Sequence, residues 1–256
     1  MKKLIAIIGL LSLIGCVEAA EAVQPTLYEQ ALATSTRPAA DKDVDFRRHP
    51  EKVLAFFQVQ PGQRVLDLFS GGGYYTELAS IVVGEQGRVD AHNNNAYIHY
   101  IGADKLLKRY EKNRLSNVSQ LHQEGNDLDL CEACYDRVLM ILTYHDLFYV
   151  DEKSGWPAID AQLLLSKVRR ALKPDGLVGI IDHNAVAGAT VDTAQTLHRI
   201  DPQIIKDGMT QWGFSLQAEA DFLANPADSG ELPMWDESVR GHTNRAVLLF
   251  GLNHSQ

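Results

Sequence analysis

Along the chain, short apolar runs alternate with stretches in which apolar residues recur every three to four positions. Residues 41–58 (DKDVDFRRHPEKVLAFFQ) carry helical spacing, and Pro61 and Gly62 interrupt it. A strand is predicted from Arg64 to Phe69, then a helix from Tyr74 to Val83 closed by Gly84. The alternation continues with a strand at 87–92, a helix around 103–114, and strands at 118–122 and 137–142. Residues 156–172 again have helical periodicity; Lys173, Pro174, Asp175 and Gly176 form a turn, and 177–181 is a buried strand. A helical stretch over 193–212 precedes two strands, 215–221 and 245–251. Strands alternating with helices predict an α/β domain with a mostly parallel sheet covered on both faces. The two late strands, with no helix between them, predict an antiparallel pair at one edge. One domain over 39–256 is expected, without internal repeats.

The first residues break this pattern. Lys2 and Lys3 precede an apolar run from Leu4 to Ile14 that is too short to span a bilayer as a mature helix, so residues 1–19 read as a secretory signal. Leu13, Ile14, Gly15 and Cys16 resemble a lipobox, in which the cysteine becomes a lipidated first residue; ordinary cleavage near Val17, Glu18 and Ala19 is the alternative. Export to the bacterial periplasm is expected either way, with membrane attachment only through a lipid on Cys16. Residues 20–38, polar and rich in small side chains, read as a flexible tether.

Length and composition sharpen the class. A chain of 256 residues with 45% hydrophobic and 22% charged side chains buries a full core and is not disordered. The net charge is −9, with Lys and Arg dispersed, which argues against a nucleic-acid partner. Beyond Cys16, only Cys131 and Cys134 remain, spaced CxxC. They read as a short surface disulfide or as two free thiols, since a metal site would need two more ligands.

The segment VLDLFSGGGYYT, Val65 to Thr76, places a glycine-rich turn between a strand and a helix. A dinucleotide fingerprint would want a small residue at Thr76 and no carboxylate inside the strand, where Asp67 stands. The segment instead resembles motif I of the class I S-adenosylmethionine-dependent methyltransferases; YDRVLMIL resembles their fourth strand and LKPDGLVGIIDH their fifth. DHNA, LHRIDP, ANPAD and RGHTNRAVLLF are similar to a branch of exported bacterial proteins of this kind. The resemblance implies a Rossmann-like, doubly wound, seven-stranded sheet and S-adenosylmethionine as cofactor. That cofactor is a sulfonium and an ammonium without phosphate, so its site calls for carboxylates and backbone acceptors. On this resemblance Asp67 lies near the methionine end, with Phe69, Ser70, Gly71 and Gly73 as the wall. Asn93 stands where the family places an acid for the ribose hydroxyls, which is a departure. Asp127 and Leu128, after the third strand, match the segment that cups adenine.

Ligands of parallel sheets sit beyond the C-terminal strand ends. Thr143, Tyr144, His145 and Asp146 follow the fourth strand; Asp182, His183 and Asn184 follow the fifth. Thr143 is expected at the cofactor. His145 is the candidate base, its tautomer held by Asp146 or Asp182, with His183 alongside. The same residues are nitrogen and oxygen ligands by type, but neither pair has HExxH spacing, and no metal is expected. The function implied is methyl transfer to a small-molecule acceptor. The alternative is an exported ligand-binding protein that keeps the fold without turnover.

Overall fold

The computed structural model describes residues 24–254. The signal and lipobox readings at residues 1–19, Cys16 included, lie outside the described residues. Within them runs a seven-stranded sheet of β1 (Arg64–Asp67), β2 (Arg88–Asn93), β3 (Val118–His122), β4 (Tyr135–Ile141), β5 (Leu172–His183), β6 (Phe214–Ala220) and β7 (Arg245–Leu252). Their order is β3-β2-β1-β4-β5-β7-β6. All neighbours pair in parallel except β7, which is antiparallel to both β5 and β6. This is the expected doubly wound sheet with an antiparallel edge pair.

Period-two alternation along the central strands feeds two separate cores. Val65, Leu139, Ile181, Val247 and Leu249 face one layer of helices: α1 (Leu27–Ala33), α4 (Pro50–Phe56) and α5 (Tyr74–Val83). Leu66, Val138, Met140, Val178, Ile180 and Phe250 face the other, which includes α8 (Ala161–Ala171) and α10 (Pro202–Gln211). The sheet tolerates Gly179 at its centre for a packing reason, because a Cβ there would lie 2.4 Å from the Phe57 ring.

Several elements differ from the periodicity. The helix expected over 41–58 is three pieces, α2 (Ala39–Lys42), α3 (Asp45–Arg48) and α4, the last two parted where His49 turns left-handed at φ 44° ahead of Pro50. The helix expected over 193–212 divides likewise into α9 (Asp192–Leu197) and α10. His198 has φ 48°, and Asp201 caps the new helix, with Pro202 at its first position. An extra helix, α6 (Asn95–Ile101), follows β2, with the Asn94 side chain accepting from the Tyr97 N–H; α7 (Ala103–Tyr110) comes next. Residues 156–160 are not helical, and α8 begins at Ala161 behind the Asp160 cap.

The tether expectation for 20–38 is corrected over much of its length. Thr26 and Glu29 form a capping box, and α1 docks through buried Ala31 and partly buried Leu27 and Leu32. Tyr28 donates to the Val59 carbonyl at 3.1 Å, and buried Arg37 forks onto Asp45 at 2.7 and 2.8 Å. A polar composition concealed a short helix whose few apolar residues share one face. Cys131 and Cys134 form a disulfide.

Candidate active site

The C-terminal ends of β1, β4 and β5 open into a cavity of about 800 Å³. At its floor, β1 delivers Asp67, which is buried and accepts from the Thr76 hydroxyl at 2.6 Å. Burial dominates this carboxyl and pushes it up to about 7, against the opposing pull of the Thr76 hydrogen bonds. The loop then turns through Phe69, left-handed at φ 56° despite its bulk, into Ser70, Gly71 and Gly72 on the cavity wall. Gly73, at φ 80°, begins α5 and does not line the cavity; its lack of a side chain is demanded by Tyr110, whose hydroxyl oxygen would lie 2.7 Å from a Cβ. Behind the loop, Arg109 donates to the Gly72 carbonyl at 2.9 Å and to Asp41 and Glu77.

Asn93 serves as a brace. Its Oδ1 accepts from the Gly71 N–H at 2.9 Å and its Nδ2 donates to the Gly71 carbonyl at 3.0 Å, so both amide atoms are spent on the loop. It is buried and does not line the cavity, which separates it from the ribose role implied by the resemblance. Asn93→Asp, though it restores the family's acid, removes that donated N–H and sets a carboxylate against a carbonyl. We expect a loss of about 1–3 kcal/mol in urea unfolding and no gain in cofactor affinity; tighter binding would show that the brace is dispensable. The adenine segment is not assembled either. Asp127 is exposed, Leu128 is packed in the core, and neither lines the cavity.

At the opposite end, β4 and β5 bring Thr143, His145, Asp146 and His183 onto the same cavity. Left-handed Leu142, φ 63°, turns the chain so that Thr143 and a single helical turn, His145–Phe148, face inward. Asp182 fixes this turn, accepting the His145 N–H at 2.7 Å and the His145 Nδ1–H at 2.7 Å. Asp182 rather than Asp146 therefore sets the tautomer, and Nε2 lies 3.3 Å from Asp146 Oδ1. Burial works against a charge on His145, yet Asp146 and Asp182 outweigh it and hold the ring up to about 9. Asp146 is itself raised by burial, and its Oδ2 accepts from Tyr97.

His183 behaves differently. Burial foremost, then Arg245, pushes it well below the usual imidazole range. Arg245 donates to Thr243 Oγ1 at 3.0 Å, so the Thr243 hydroxyl donates in turn to His183 Nδ1 at 2.6 Å. Two buried hydroxyl oxygens on the wall, Ser70 Oγ and Thr143 Oγ1, have no hydrogen-bond partner among the described residues. Buried polar atoms are ordinarily satisfied, so each marks a place for an outside group.

Sequence reasoning missed part of the enclosure. His198 was left on a helix, but its left-handed backbone brings the ring 5.3 Å from that of His145. Tyr97 and Trp156 sit edge to face at 5.1 Å, and Tyr97 stacks on Phe69 at 5.3 Å. Tyr149 and Trp235 pack on His198 at 4.4 and 5.3 Å. The Asp201–Pro202 cap was the signal for His198, since it starts a new helix just beyond that residue; nothing in the periodicity marked Tyr97.

Residues 48–145, from the last residue of α3 to His145 beyond β4, match the family described as Protein-L-isoaspartate(D-aspartate) O-methyltransferase (PCMT). The ubiquinone/menaquinone biosynthesis C-methyltransferase UbiE of Teredinibacter turnerae is 24% identical over 140 residues, 55% of this chain and 51% of that protein. Its namesake from Vibrio campbellii is 25% identical over 190 residues, 74% of this chain and 62% of the relative. The chain spans about half the length of the first of these relatives and under two thirds of the second. The solved SAM dependent methyltransferase from Aquifex aeolicus shares the fold with a TM-score of 0.58 and 20% identity, covering 83% of this chain and 95% of that one. The strand order, the glycine loop and these likenesses agree that the chain has the fold of the class I S-adenosylmethionine-dependent methyltransferases and is similar to them, proteins whose cofactor is S-adenosylmethionine.

Proposed function

We propose that the protein binds S-adenosylmethionine along the Asp67–Gly72 side of the cavity and transfers its methyl group to a small-molecule acceptor held at the His145–Asp146 end. The observation that carries this reading is the continuity of the cavity, which joins both groups of residues in one enclosure. The residues fit the cofactor. Among the described residues, Asp67 is a buried carboxyl with no cation beside it, Ser70 and Thr143 present unpartnered hydroxyls, and a Cβ on Gly71 would meet nothing nearer than 3.9 Å beyond its chain neighbours. The cofactor supplies a methyl group on a sulfonium; in-line displacement then depends mainly on positioning.

The chain's own groups divide that work. Asp67 holds the cationic methionine end, and Phe69, Tyr97 and Trp156 exclude water with ring faces that suit a sulfonium. Asp182 keeps His145 in one orientation, and His145 and Asp146 hold the acceptor and the proton it carries. About 800 Å³ lies in the usual range for small-molecule sites, and the rings of Tyr149, Trp156 and Trp235 favour an apolar or aromatic acceptor. We place this chemistry in the exported compartment on the signal read at residues 1–19. The non-catalytic alternative is not favoured, because the curated relatives carry methyltransferase names and the strand-end polar groups converge on one cavity.

Calorimetric titration with S-adenosylmethionine and its demethylated product tests the reading. Binding of either at about micromolar Kd (about −8 kcal/mol) is expected. No binding of either would overturn it.

A further inference from the structure

We infer that His145, Asp146 and His198 form a binding site for a first-row divalent transition-metal ion of the zinc or ferrous class, facing the acceptor end of the cavity. One donor atom from each of the three lies within 4.8 Å of the others. His145 Nε2 is 3.3 Å and His198 Nδ1 3.7 Å from the same oxygen, Asp146 Oδ1. An ion bonded at about 2.0–2.2 Å to each needs donors roughly 3–3.5 Å apart, so the His198 ring moves inward on binding, from 3.7 Å to Asp146 and from within 4.8 Å of His145.

The surrounding hydrogen bonds direct these atoms toward one point. His145 spends Nδ1 on Asp182, which leaves Nε2 toward Asp146; Asp146 spends Oδ2 on Tyr97, which leaves Oδ1 toward both histidines. One proton bridges one such pair, whereas one metal ion engages all three. Asp182 is in turn fixed by the backbone N–H groups of His145 and His183, at 2.7 Å each, giving the carboxylate–histidine support that metal ligands ordinarily receive. The His198 ring is held between Tyr149 and Trp235, on a residue in the sparsely populated left-handed region.

Two imidazoles and one carboxylate suit zinc or ferrous iron better than magnesium or calcium, which prefer oxygen alone. Three protein ligands leave positions open, and all three residues line the cavity, so the open face points at exchangeable ligands. An oxygen, nitrogen or sulfur atom of the acceptor would bind there. That last step rests on the methyltransferase reading; the ion site does not.

The test uses the full chain, stripped with chelator and titrated with Zn²⁺ by calorimetry and with Co²⁺ by visible absorption. One ion per chain is expected, at about micromolar Kd or tighter. His198→Gln and Asp146→Asn should each weaken binding by at least about a hundredfold, and Asp182→Asn, which alters only the support, by about 10–100-fold. Exposed His99→Ala should leave it unchanged. Circular dichroism identifies any variant that fails to fold, and His198→Gln, at a half-buried ring, keeps the test open if Asp146→Asn does not fold. Absence of binding at about 100 μM, or equal binding by wild type and His198→Gln, would overturn the site. Metal binding without S-adenosylmethionine binding would sustain the site and sink the proposed function.

Discussion

Asp67→Asn lowers affinity for S-adenosylmethionine about a hundredfold, yet leaves the melting temperature at pH 8 unchanged or raised. Both effects come from one carboxyl. Asp67 is buried with Thr76 as its hydrogen-bonding partner, and burial holds it up to about 7. An amide keeps the Thr76 hydrogen bond but offers no charge to an ammonium or sulfonium; a charge-assisted pair of this kind contributes about 1.5–3 kcal/mol. The sign of the stability change follows from linkage. A carboxyl raised above its unfolded value of 3.8 binds its proton more tightly in the folded chain. Its contribution is therefore complete below about pH 4 and is lost as pH rises through 7. The variant lacks that loss, so the difference in melting temperature should grow in its favour from pH 5 to pH 8. Wild-type affinity should fall about tenfold per pH unit below 7 and level off above it, while that of the variant stays flat. A variant that melts lower at pH 8 and binds as tightly as wild type would remove Asp67 from the cofactor site.

The largest loss of stability is expected from Arg199→Met. This guanidinium is fully buried and forks onto Asp228 at 2.8 and 3.0 Å, with further bonds to the carbonyls of Leu232 at 2.6 Å and Asn184 at 2.9 Å. It thus ties the end of β5 to the long connection between β6 and β7. Removing it strands the buried Asp228 carboxylate, which then has only the N–H groups of Gly230 and Asn244. Breaking one side of a buried pair costs about 3–5 kcal/mol, whereas replacing both by apolar groups is often near neutral. Urea unfolding should show that loss for Arg199→Met and substantial recovery for Arg199→Met with Asp228→Leu. Proteolysis should begin within residues 222–244, because that connection has no strand or helix of its own. A loss under 1 kcal/mol would mean that the connection is held by its other contacts.

The sheet was readable because its evidence is local. Apolar runs at Val65, Val138, Val178 and Val247 alternate between two faces, and the mostly parallel sheet with an antiparallel edge pair followed from βα units and a late helix-free pair. Thr143, His145, Asp146 and His183 reach the cavity wall because topology sends parallel strand ends to one rim, and Asp67 and Ser70 reach it where the family resemblance implied. What failed was information held in side-chain partners. Asn93 sits at the expected position but faces Gly71, and Asp127 follows the expected strand but faces solvent; no spacing distinguishes those directions. His198 and His49 were absorbed into helices because periodicity does not register a single left-handed residue ahead of a proline.

The docking of α1 also bears on the autonomy of the domain. Residues 24–38 invite removal on composition, and a cut at 39 spares every strand. Yet Ala31, Leu27 and Leu32 close an apolar seam against Val53, Leu78 and Val82, and Arg37 anchors Asp45, which also accepts from Tyr74 at the start of α5. A shortened chain would bare that seam and slacken the helix that carries the glycine loop, so an inert truncate would report a missing buttress and not a missing activity.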